Sequence, residues 1–246
     1  MIIGSRFIFC KDIESTNTYA TGLLQSESVT EGTIIYTNYQ SAGRGQKGNR
    51  WESEDGKNLL FSTVLYPRII RPKDQFIISI FISLGICDFL KMLITDCKIK
   101  WPNDIYAGDD KIAGILIENS IISDAIINSV AGIGLNLNQE EFPEELPNPV
   151  SLKILTRKEY DPDYCLKQLA GCLDLRYKQV ISGSWDDLRN QYISSLYQLN
   201  TWRRFRSEKG ILEGRIVSVT ESGCLRIEEK AGNTREFLFK EIDFCI

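Results

Sequence analysis

A basic, glycine-rich stretch at residues 39–51 separates two segments that both have the pattern of β-strands. Its glycines fit G-x-G-x-x-G, the dinucleotide-binding pattern, which requires a strand before it and a helix after it. Residues 33–39 can form the strand, but the polar, turn-rich residues 49–58 follow and lead directly into a second strand at 59–66. Because no helix follows the glycines, we reject a doubly wound dinucleotide-binding fold.

The chemistry of residues 39–51 nevertheless favours an anionic ligand. Glycine backbones can turn their N–H groups towards an anion, and Arg44, Lys47 and Arg50 add positive charge. Arginine can bind a phosphate or carboxylate through two hydrogen bonds, and Trp51 can present a flat face to a base. The stretch suits a phosphate-bearing ligand of nucleotide type, although a mobile surface loop that binds nothing has the same composition.

Composition and charge narrow the class of protein. The chain has 246 residues, 43% hydrophobic and 25% charged, enough for one core or for one domain plus a small second one. The net charge of −4 argues against nucleic acid as the main partner. The N-terminus lacks a signal-peptide pattern, and the longest apolar run, residues 76–87, is far shorter than a membrane span. We expect a cytoplasmic protein without a membrane partner.

The cysteine and histidine content limits the available chemistry. Seven cysteines are scattered without any C-x-x-C spacing, which favours reduced thiols over disulfides or a zinc site. There is no histidine, so Ser-His-Asp catalysis, Cys-His catalysis and histidine-ligated metals are excluded. Any chemistry must use carboxylates, lysines, arginines, backbone dipoles or a metal ion that arrives with the substrate.

Hydrophobic periodicity predicts an α+β fold, with a mixed β-sheet flanked by helices at residues 1–199 and a small β-barrel at residues 200–246. The predicted strands of the first domain are residues 7–13, 33–39, 59–66, 97–101, 111–119 and 125–138. The predicted helices are residues 14–25, 74–94, 162–182 and 185–196. The predicted barrel strands are residues 201–206, 211–219, 224–229 and 234–239. Residues 139–149 are acidic and proline-rich, which predicts a surface loop.

Several short motifs have both a structural and a functional interpretation. Ser15-Thr16-Asn17 offers good N-cap residues for a helix, and this structural role alone would explain them. In K-W-P-N-D, residues 100–104, the proline stops the strand and leaves Asn103 and Asp104 at its end. Lys111 with Gly114, and the sequence GIGLNLN at 132–138, fit strand packing as well as close approach by a ligand. Each motif alone leaves both interpretations open.

The order of the motifs is more specific than any one of them. Ser15-Thr16-Asn17, QSAGRGQKGNRW at 40–51, KWPND at 100–104, KIAGILIE at 111–118 and GIGLNLN at 132–138 occur in one chain, followed by a short β-rich region. In this set of motifs and their order, the sequence resembles the biotin protein ligases along its whole length. The resemblance implies the biotin–lipoate ligase catalytic fold, which is similar to that of class II synthetases, with a small C-terminal β-barrel.

The resemblance also implies a two-step reaction. Biotin and ATP, with Mg²⁺ accompanying the nucleotide and no metal fixed by the protein, form biotinyl-5′-adenylate and pyrophosphate. The acyl group then passes to one lysine of a biotin carboxyl carrier domain of a biotin-dependent carboxylase. We therefore expect biotin, ATP and a carrier domain as partners.

By the same resemblance, matching positions receive roles. The implied biotin-binding residues are Ser15, Thr16, Asn17, Gln40, Gly43, Arg44, Gly45, Lys111 and Gly114. The implied ATP- and adenylate-binding residues are Arg44, Gly45, Gln46, Lys47, Gly48, Asn49, Arg50, Trp51, Asn103, Lys111 and Asn136. Lys111 and Arg44 are the catalytic candidates for the first step, where they would offset repulsion between two anions. Asp104 is the candidate that orients or deprotonates the acceptor lysine, unless it only caps the turn or helps to hold metal.

The chain departs from the family pattern at three positions. Gln46 and Asn49 replace loop arginines, and Lys47 and Arg50 are the candidates to compensate. Lys240 stands where a glycine is common, which makes contacts between the barrel and ATP doubtful. Because the sequence begins directly with the catalytic region, we expect a monofunctional ligase without a DNA-binding domain. Homodimers formed through sheet edges occur in the family, but this sequence does not decide the oligomeric state.

Two alternatives stay open. A lipoate or octanoate ligase or transferase shares the catalytic fold, although such enzymes lack this glycine loop and the KWPND segment. A non-catalytic sensor of biotin or its adenylate would keep the pocket, but the presence of Lys111, Asp104 and Arg44 argues against it.

Overall fold

A seven-stranded mixed sheet forms the larger layer of the molecule. We describe residues 1–208 and 210–245 of a computed structural model, with Lys47 described by its backbone alone. The strands are β1 Phe7–Phe9, β2 Ile34–Thr37, β3 Leu59–Leu65, β4 Lys98–Lys100, β5 Asp104–Ala107, β6 Asp110–Ile122 and β7 Ala125–Leu135. Their order in the sheet is β1-β2-β3-β7-β6-β5-β4, and every neighbouring pair is antiparallel except β1 with β2.

Helices cover the two faces of this sheet unequally. They are α1 Thr16–Ser26, α2 Phe76–Lys91, α3 Leu152–Thr156, α4 Pro162–Ile181 and α5 Trp185–Ser194. Side chains alternate along a strand, so Ile34 joins the core around α2 while the next residue, Ile35, joins a smaller cluster under α1. The helix α1 packs on β2, β3 and β7. It leaves the remaining part of this face of the sheet, over the other strands, uncovered. The candidate site lies on that uncovered part.

The C-terminal strands form a second, five-stranded antiparallel sheet. They are β8 Trp202–Ser207, β9 Gly210–Val219, β10 Leu225–Glu229, β11 Thr234–Phe237 and β12 Ile242–Phe244. Their order is β11-β10-β9-β8-β12, so in the described residues the edge strands β11 and β12 do not pair with each other. The predicted small β-barrel is therefore an open sheet, because closure requires the first and last strands to hydrogen-bond. The α+β class and a small C-terminal sheet are confirmed.

The two sheets share one hydrophobic core. Phe205, Ile216 and Ile242 of the second sheet belong to the same contiguous cluster of buried residues as α2 and the first sheet. The chain passes between the sheets at Leu199, which forms a β-bridge with Ile216. The domain boundary at residue 199 stays a prediction, since the buried apolar surface is continuous across it.

Most predicted elements are present with ends shifted by a few residues. The strand predicted at residues 7–13 is shorter, Phe7–Phe9. The prediction missed β5, α3 and β12, which have only three to five residues each. Such elements are too short to show a hydrophobic period.

The helix α2 is the most apolar helix of the molecule and lies in its core. It has 16 residues, and in the described ranges no helix combines the length and the hydropathy needed to cross a membrane. Its midpoint, Gly85, lies against α4: a methyl group added there would come within 2.8 Å of Leu173 Cδ2 and 3.2 Å of Leu173 Cα. This glycine therefore allows the two helices to approach closely.

We expect Gly85→Ala to destabilise the protein by about 1–2 kcal/mol, although alanine is the better helix former by about 1 kcal/mol, because overpacking costs more. Gly171→Ala is the matched control: it is also inside a helix, α4, and an added methyl group meets nothing within 4 Å. That variant should gain about 0.5–1 kcal/mol. Urea unfolding of the two variants measures both changes, and a stabilised Gly85→Ala would contradict the proposed close packing.

Candidate active site

A cavity of about 350 Å³ lies on the face of the first sheet that α1 leaves uncovered. Its lining comes from the N-terminus of α1, the loop of residues 44–51, the strands β4 to β7 and the C-terminal end of the chain. On the sheet the lining runs from Gly132 and Gly134 on β7 to Lys100 on β4, which is three strand spacings. At about 4.8 Å per spacing the cavity crosses about 14 Å of sheet. An elongated ligand fits this shape better than a compact one.

One end of the site is neutral and rich in hydrogen bonds. The hydroxyl of Ser62 donates towards Thr16 Oγ1 at 2.7 Å and Asn17 Oδ1 at 2.6 Å. Gln40 Oε1 accepts from the backbone N–H of Thr16 at 2.8 Å. Ser15 is the N-cap by position, but its side chain makes no capping bond, so the predicted simple cap is wrong and Gln40 satisfies the helix N–H instead. These groups are uncharged, and all except the half-buried Gln40 are buried, which suits a neutral polar head group.

Glycines on β6 and β7 make the middle of the site flat. Gly114 and Gly134 are direct partners across the two strands, and the Trp51 ring lies on both. A methyl group at Gly134 would come within 2.3 Å of Trp51 Cε2, and one at Gly132 within 2.3 Å of Asn17 Oδ1. The sequence G-I-G thus leaves room for two specific neighbouring side chains.

The glycine-rich loop is folded back on itself. Trp51 N–H donates to Gly43 O and Gly45 N–H donates to Asn49 O, with one 3₁₀ turn at Gln46–Gly48 between them. Gly43 is required for this closure, because a methyl group there would come within 2.3 Å of Trp51 O. The two amides of Gly45 and Trp51 are therefore used within the loop, in contrast to the expectation that consecutive N–H groups converge on an anion.

Arg44 is held by a carboxylate that sequence analysis assigned no role. Its guanidinium binds Glu118 through two hydrogen bonds of 2.6 and 3.1 Å. Glu118 also accepts from Asn17 Nδ2 at 2.8 Å. The acidic residue therefore fixes the loop and the start of α1 in relation to each other.

The other end of the site carries charge. Lys111 Nζ lies 2.8 Å from Asp104 Oδ1 and 5.7 Å from the centre of the Trp51 ring. The backbone of Lys111 is fixed on both sides, because it donates to Asn148 O and accepts from Val150 N–H. Asp104 stands opposite Gly114 in the ladder between β5 and β6, on the same face of the sheet as the flat floor of the site.

Lys100 is a third cation at this end. Its ammonium donates to Tyr106 Oη at 2.7 Å and lies over the rings of Tyr106 and Phe244. Burial lowers the pKa of Lys100 below its ordinary value, and the nearby carboxylates of Asp104 and Asp243 oppose that effect. Lys100 is the first residue of the KWPND motif, and no role was predicted for it.

The second sheet closes this end. Trp101 Nε1 donates to Gly223 O at 2.9 Å, and its ring meets Phe239 edge-on. Lys240 and Asp243 line the cavity beside Phe239. Although the sequence made contacts between this region and ATP doubtful, its residues form part of the wall.

A second cavity of about 680 Å³ adjoins the first. The residues that line both cavities are Asn49, Arg50, Trp51, Lys100, Asp104 and Lys111. The second cavity is otherwise lined by Glu52, Tyr106, Asn136 and most of residues 142–149. The start of this segment is not the predicted surface loop: Gln139 is buried, and its Oε1 accepts from the backbone N–H of Glu54. Asn136 donates to Val150 O and so holds the end of the segment against β7.

Most of the residues named from the sequence surround these two cavities. Those that line the first are Ser15, Thr16, Asn17, Gln40, Arg44, Gly45, Gln46, Asn49, Arg50, Trp51, Asn103, Asp104, Lys111 and Gly114. Asn136 lines the second cavity and not the first. Gly43 and Gly48 line neither and shape the loop, and the side chain of Lys47 lies outside the described residues. The assigned roles stay predictions.

Ser62 was not predicted as a site residue, and Glu118 and Lys100 had no predicted role. One feature points to Ser62 as a site residue: it is a polar residue in a strand, β3, whose other residues are mostly apolar and all buried. Within the described ranges no group of three or more cysteine or acidic side chains is arranged to hold a metal ion.

Comparison with known proteins identifies the family. Residues 9–136, more than half of the chain, match the model of the biotin/lipoate A/B protein ligase family. The chain belongs to this family.

Individual relatives extend the similarity to the C-terminal sheet. The biotin protein ligase of Aquifex aeolicus, solved in complex with biotin and ATP, superposes with a TM-score of 0.82 and 26% identity over 97% of this chain and 98% of that one. The bifunctional ligase/repressor BirA of Bacillus spizizenii is 27% identical over 94% of this chain and 72% of its own length. The biotin–[acetyl-CoA-carboxylase] ligase of Paracoccus denitrificans is 26% identical over 89% and 92%.

The contact between Trp51 and Gly134 predicts a specific pattern of stability. Gly134→Ala should cost about 1–3 kcal/mol by displacing the indole. In a Trp51→Ala background the same change should cost almost nothing, since the clashing ring is gone. Gly132→Ala is the control: it collides with Asn17, so its cost should add to that of Trp51→Ala. Denaturant unfolding of the single and double variants decides this, and additive costs for Gly134 would refute the contact.

Proposed function

We propose that the protein is an ATP-dependent ligase that activates biotin as biotinyl-5′-AMP and transfers the biotinyl group to a lysine of a biotin carboxyl carrier domain. Membership of the family and the likeness to an Aquifex protein solved with biotin and ATP support the choice of substrates. The carrier domain is inferred from relatives named as biotin–[acetyl-CoA-carboxylase] ligases.

The polarity of the site carries this proposal. Its neutral end, lined by Thr16 and Gln40 with Ser62 supporting Thr16 from beneath, offers hydrogen bonds without charge, as an uncharged ureido ring requires. Its other end, with Lys100 and Lys111, offers positive charge to a carboxylate and phosphates. A biotin laid across the sheet would place its ring at the first and its carboxylate towards the second.

In the first step a carboxylate oxygen of biotin attacks the α-phosphorus of ATP. The new P–O bond forms as the bond to pyrophosphate breaks, so two anions meet in the transition state. Lys111 would offset their repulsion, since its ammonium is already oriented by Asp104 at 2.8 Å. Arg44, oriented by Glu118, would add charge from the loop. Mg²⁺ would enter with ATP as part of the substrate and neutralise phosphate charge.

Trp51 has a proposed part in protecting the adenylate. Its Nε1 is buried and has no hydrogen-bond partner among the described residues, as is also true of Gln46 Oε1. Leaving such a group unpaired costs about 1–3 kcal/mol, so a ligand that bonds to it gains affinity. The indole and the loop would also cover the mixed anhydride and exclude water that would hydrolyse it.

In the second step the amine of the acceptor lysine attacks the acyl carbon, and the bond to AMP breaks. The amine must first lose a proton. Asp104 is the proposed group that orients the amine and accepts this proton, because it is the carboxylate beside Lys111 on the floor of the site.

Biotin-dependent exchange of labelled pyrophosphate into ATP tests the adenylation step directly, with lipoate and octanoate as alternative acids. Exchange with biotin alone supports the proposal. Exchange with lipoate or octanoate instead assigns the protein to the other branch of its family. Folded protein that binds biotin but gives no exchange with any acid would indicate a sensor.

Lys111→Ala should lower the rate of biotin-dependent exchange by about 100-fold or more, because a charge that acts in the transition state is lost. The fold should remain, since the contacts of Lys111 to residues 148–150 use only its backbone. Circular dichroism and the thermal midpoint monitor the fold. Near-normal exchange in this variant would remove Lys111 from the mechanism.

Asp104→Asn should separate the two steps. We expect exchange to fall by less than about tenfold, while transfer from preformed biotinyl-5′-AMP to a carrier domain falls by about 100-fold, the usual range for loss of a general base. Asp110→Asn removes the same charge from an exposed position on the same hairpin and is the control. Equal losses in both steps would make Asp104 a positioning group for Lys111 only.

A further inference from the structure

Tyr106 on β5 lies between the two lysines of the charged end of the site. Lys100 is paired with Asp104 in the ladder of β4 and β5, and Tyr106 follows two residues later, so it is the diagonal neighbour of Lys100 on the same face. On its other side Tyr106 pairs directly with Lys111 on β6. This second pairing depends on a β-bulge, because the register shifts there and leaves Ile112 without a partner on β5. Bulges next to active sites commonly redirect side chains in this way.

The hydroxyl of Tyr106 holds the ammonium of Lys100. Lys100 Nζ donates to Tyr106 Oη at 2.7 Å, and it lies 4.7 Å from the centre of the Tyr106 ring and 5.2 Å from that of Phe244. This bond uses one donor of the ammonium, and the others have no hydrogen-bond partner among the described residues. Lys100 lines both cavities, so these donors are available to a ligand where the cavities meet.

The phenol orients the ammonium without neutralising it. Arg44 and Lys111 are each paired with a carboxylate, whereas no carboxylate of the described residues lies within ion-pair distance of Lys100. Burial raises the pKa of Tyr106 above its ordinary value, so its hydroxyl stays protonated and neutral. The two aromatic faces favour the charged form of the lysine. Lys100 therefore presents positive charge that no contacting carboxylate cancels.

Packing explains only part of the environment of Tyr106. Its buried ring lies 5.1 Å from that of Tyr197, and a buried tyrosine hydroxyl usually finds a hydrogen-bond partner. Tyr197 is the useful comparison: it is also buried, its hydroxyl donates to Asp109 Oδ1 at 2.7 Å, and it lines neither cavity. Of these two neighbouring tyrosines, Tyr106 is the one that contacts a cation of the site.

We propose that Tyr106 is a positioning residue for the nucleotide, whose hydroxyl fixes the ammonium of Lys100 where the two cavities meet. The charge of Lys100 then acts at full strength only while Tyr106 orients it. Tyr106 acts through Lys100 and requires no contact of its own with the ligand. The inference rests on the proposed use of ATP by this site.

A double-mutant cycle on binding is the test, by calorimetric titration of the full chain with Mg-ATP. We expect Lys100→Met to weaken binding about tenfold, as for one lost charge-assisted bond. Tyr106→Phe should weaken it about fivefold, because phenylalanine keeps the ring and removes only the oxygen that holds the ammonium. In the Lys100→Met background, Tyr106→Phe should change the affinity by less than about twofold, since the group it positions is gone.

Tyr197→Phe is the matched control, because it removes one hydroxyl bond from the same aromatic cluster. It should lower the thermal midpoint as Tyr106→Phe does and leave the Mg-ATP affinity within about twofold of the wild type. Adenosine, which lacks phosphates, should bind equally to all of these variants. Unchanged Mg-ATP affinity in Tyr106→Phe, an equal loss for adenosine, or losses that add in the double variant would overturn the proposal.

Exchange kinetics give a second readout that a loss of packing would not produce. Tyr106→Phe should lower kcat of biotin-dependent pyrophosphate exchange about tenfold or more, as a misplaced charge does, and leave KM for biotin within about twofold. A raised KM for biotin with unchanged kcat contradicts the proposal. Wild-type protein that gives no exchange with any acid rejects the proposed function instead, whereas the binding cycle decides the role of Tyr106 without turnover.

Discussion

The absence of side chains at Gly114, Gly132 and Gly134 is the constraint on which the site depends. Two adjacent antiparallel strands present a flat backbone surface there, so Trp51 and Asn17 rest directly on the sheet. A single methyl group at any of the three would come within 3 Å of a side chain above it. The loop that carries Trp51 and the helix that carries Asn17 are thereby seated by contact with the same floor.

The order of the strands explains how distant parts of the chain form one site. Since β7 lies between β3 and β6, Ser62 is separated from Lys111 by two strand spacings, although the two residues are 49 positions apart in the sequence. The hairpin of β5 and β6 then brings Asp104 to Lys111. A sheet of this order places neutral groups at one side of the cavity and charges at the other, which gives the ligand a direction.

The parts of the site that could be predicted from the sequence are those formed by residues that are contiguous in the chain. The glycine loop, KWPND and the Lys111–Gly114 pair are contiguous and were found. Ser62, Glu118 and Lys100 were not assigned roles, because their importance comes from partners in other elements: Thr16 on α1, Arg44 in the loop and Tyr106 on β5. The α+β class followed from periodicity, whereas the pairing of strand edges, which decides between a barrel and an open sheet, has no local signal. For the same reason β12 was missed.

Glu118 gives the site a property that none of its residues has alone. One carboxylate accepts hydrogen bonds from Asn17 at the neutral end and from Arg44 on the loop. Any ligand that strengthens or weakens one of these bonds changes the free energy of the other, so the neutral end and the loop are thermodynamically coupled through a single side chain. Such coupling is reciprocal: what binding at the head-group pocket does to the loop, ordering of the loop does to the pocket by the same factor.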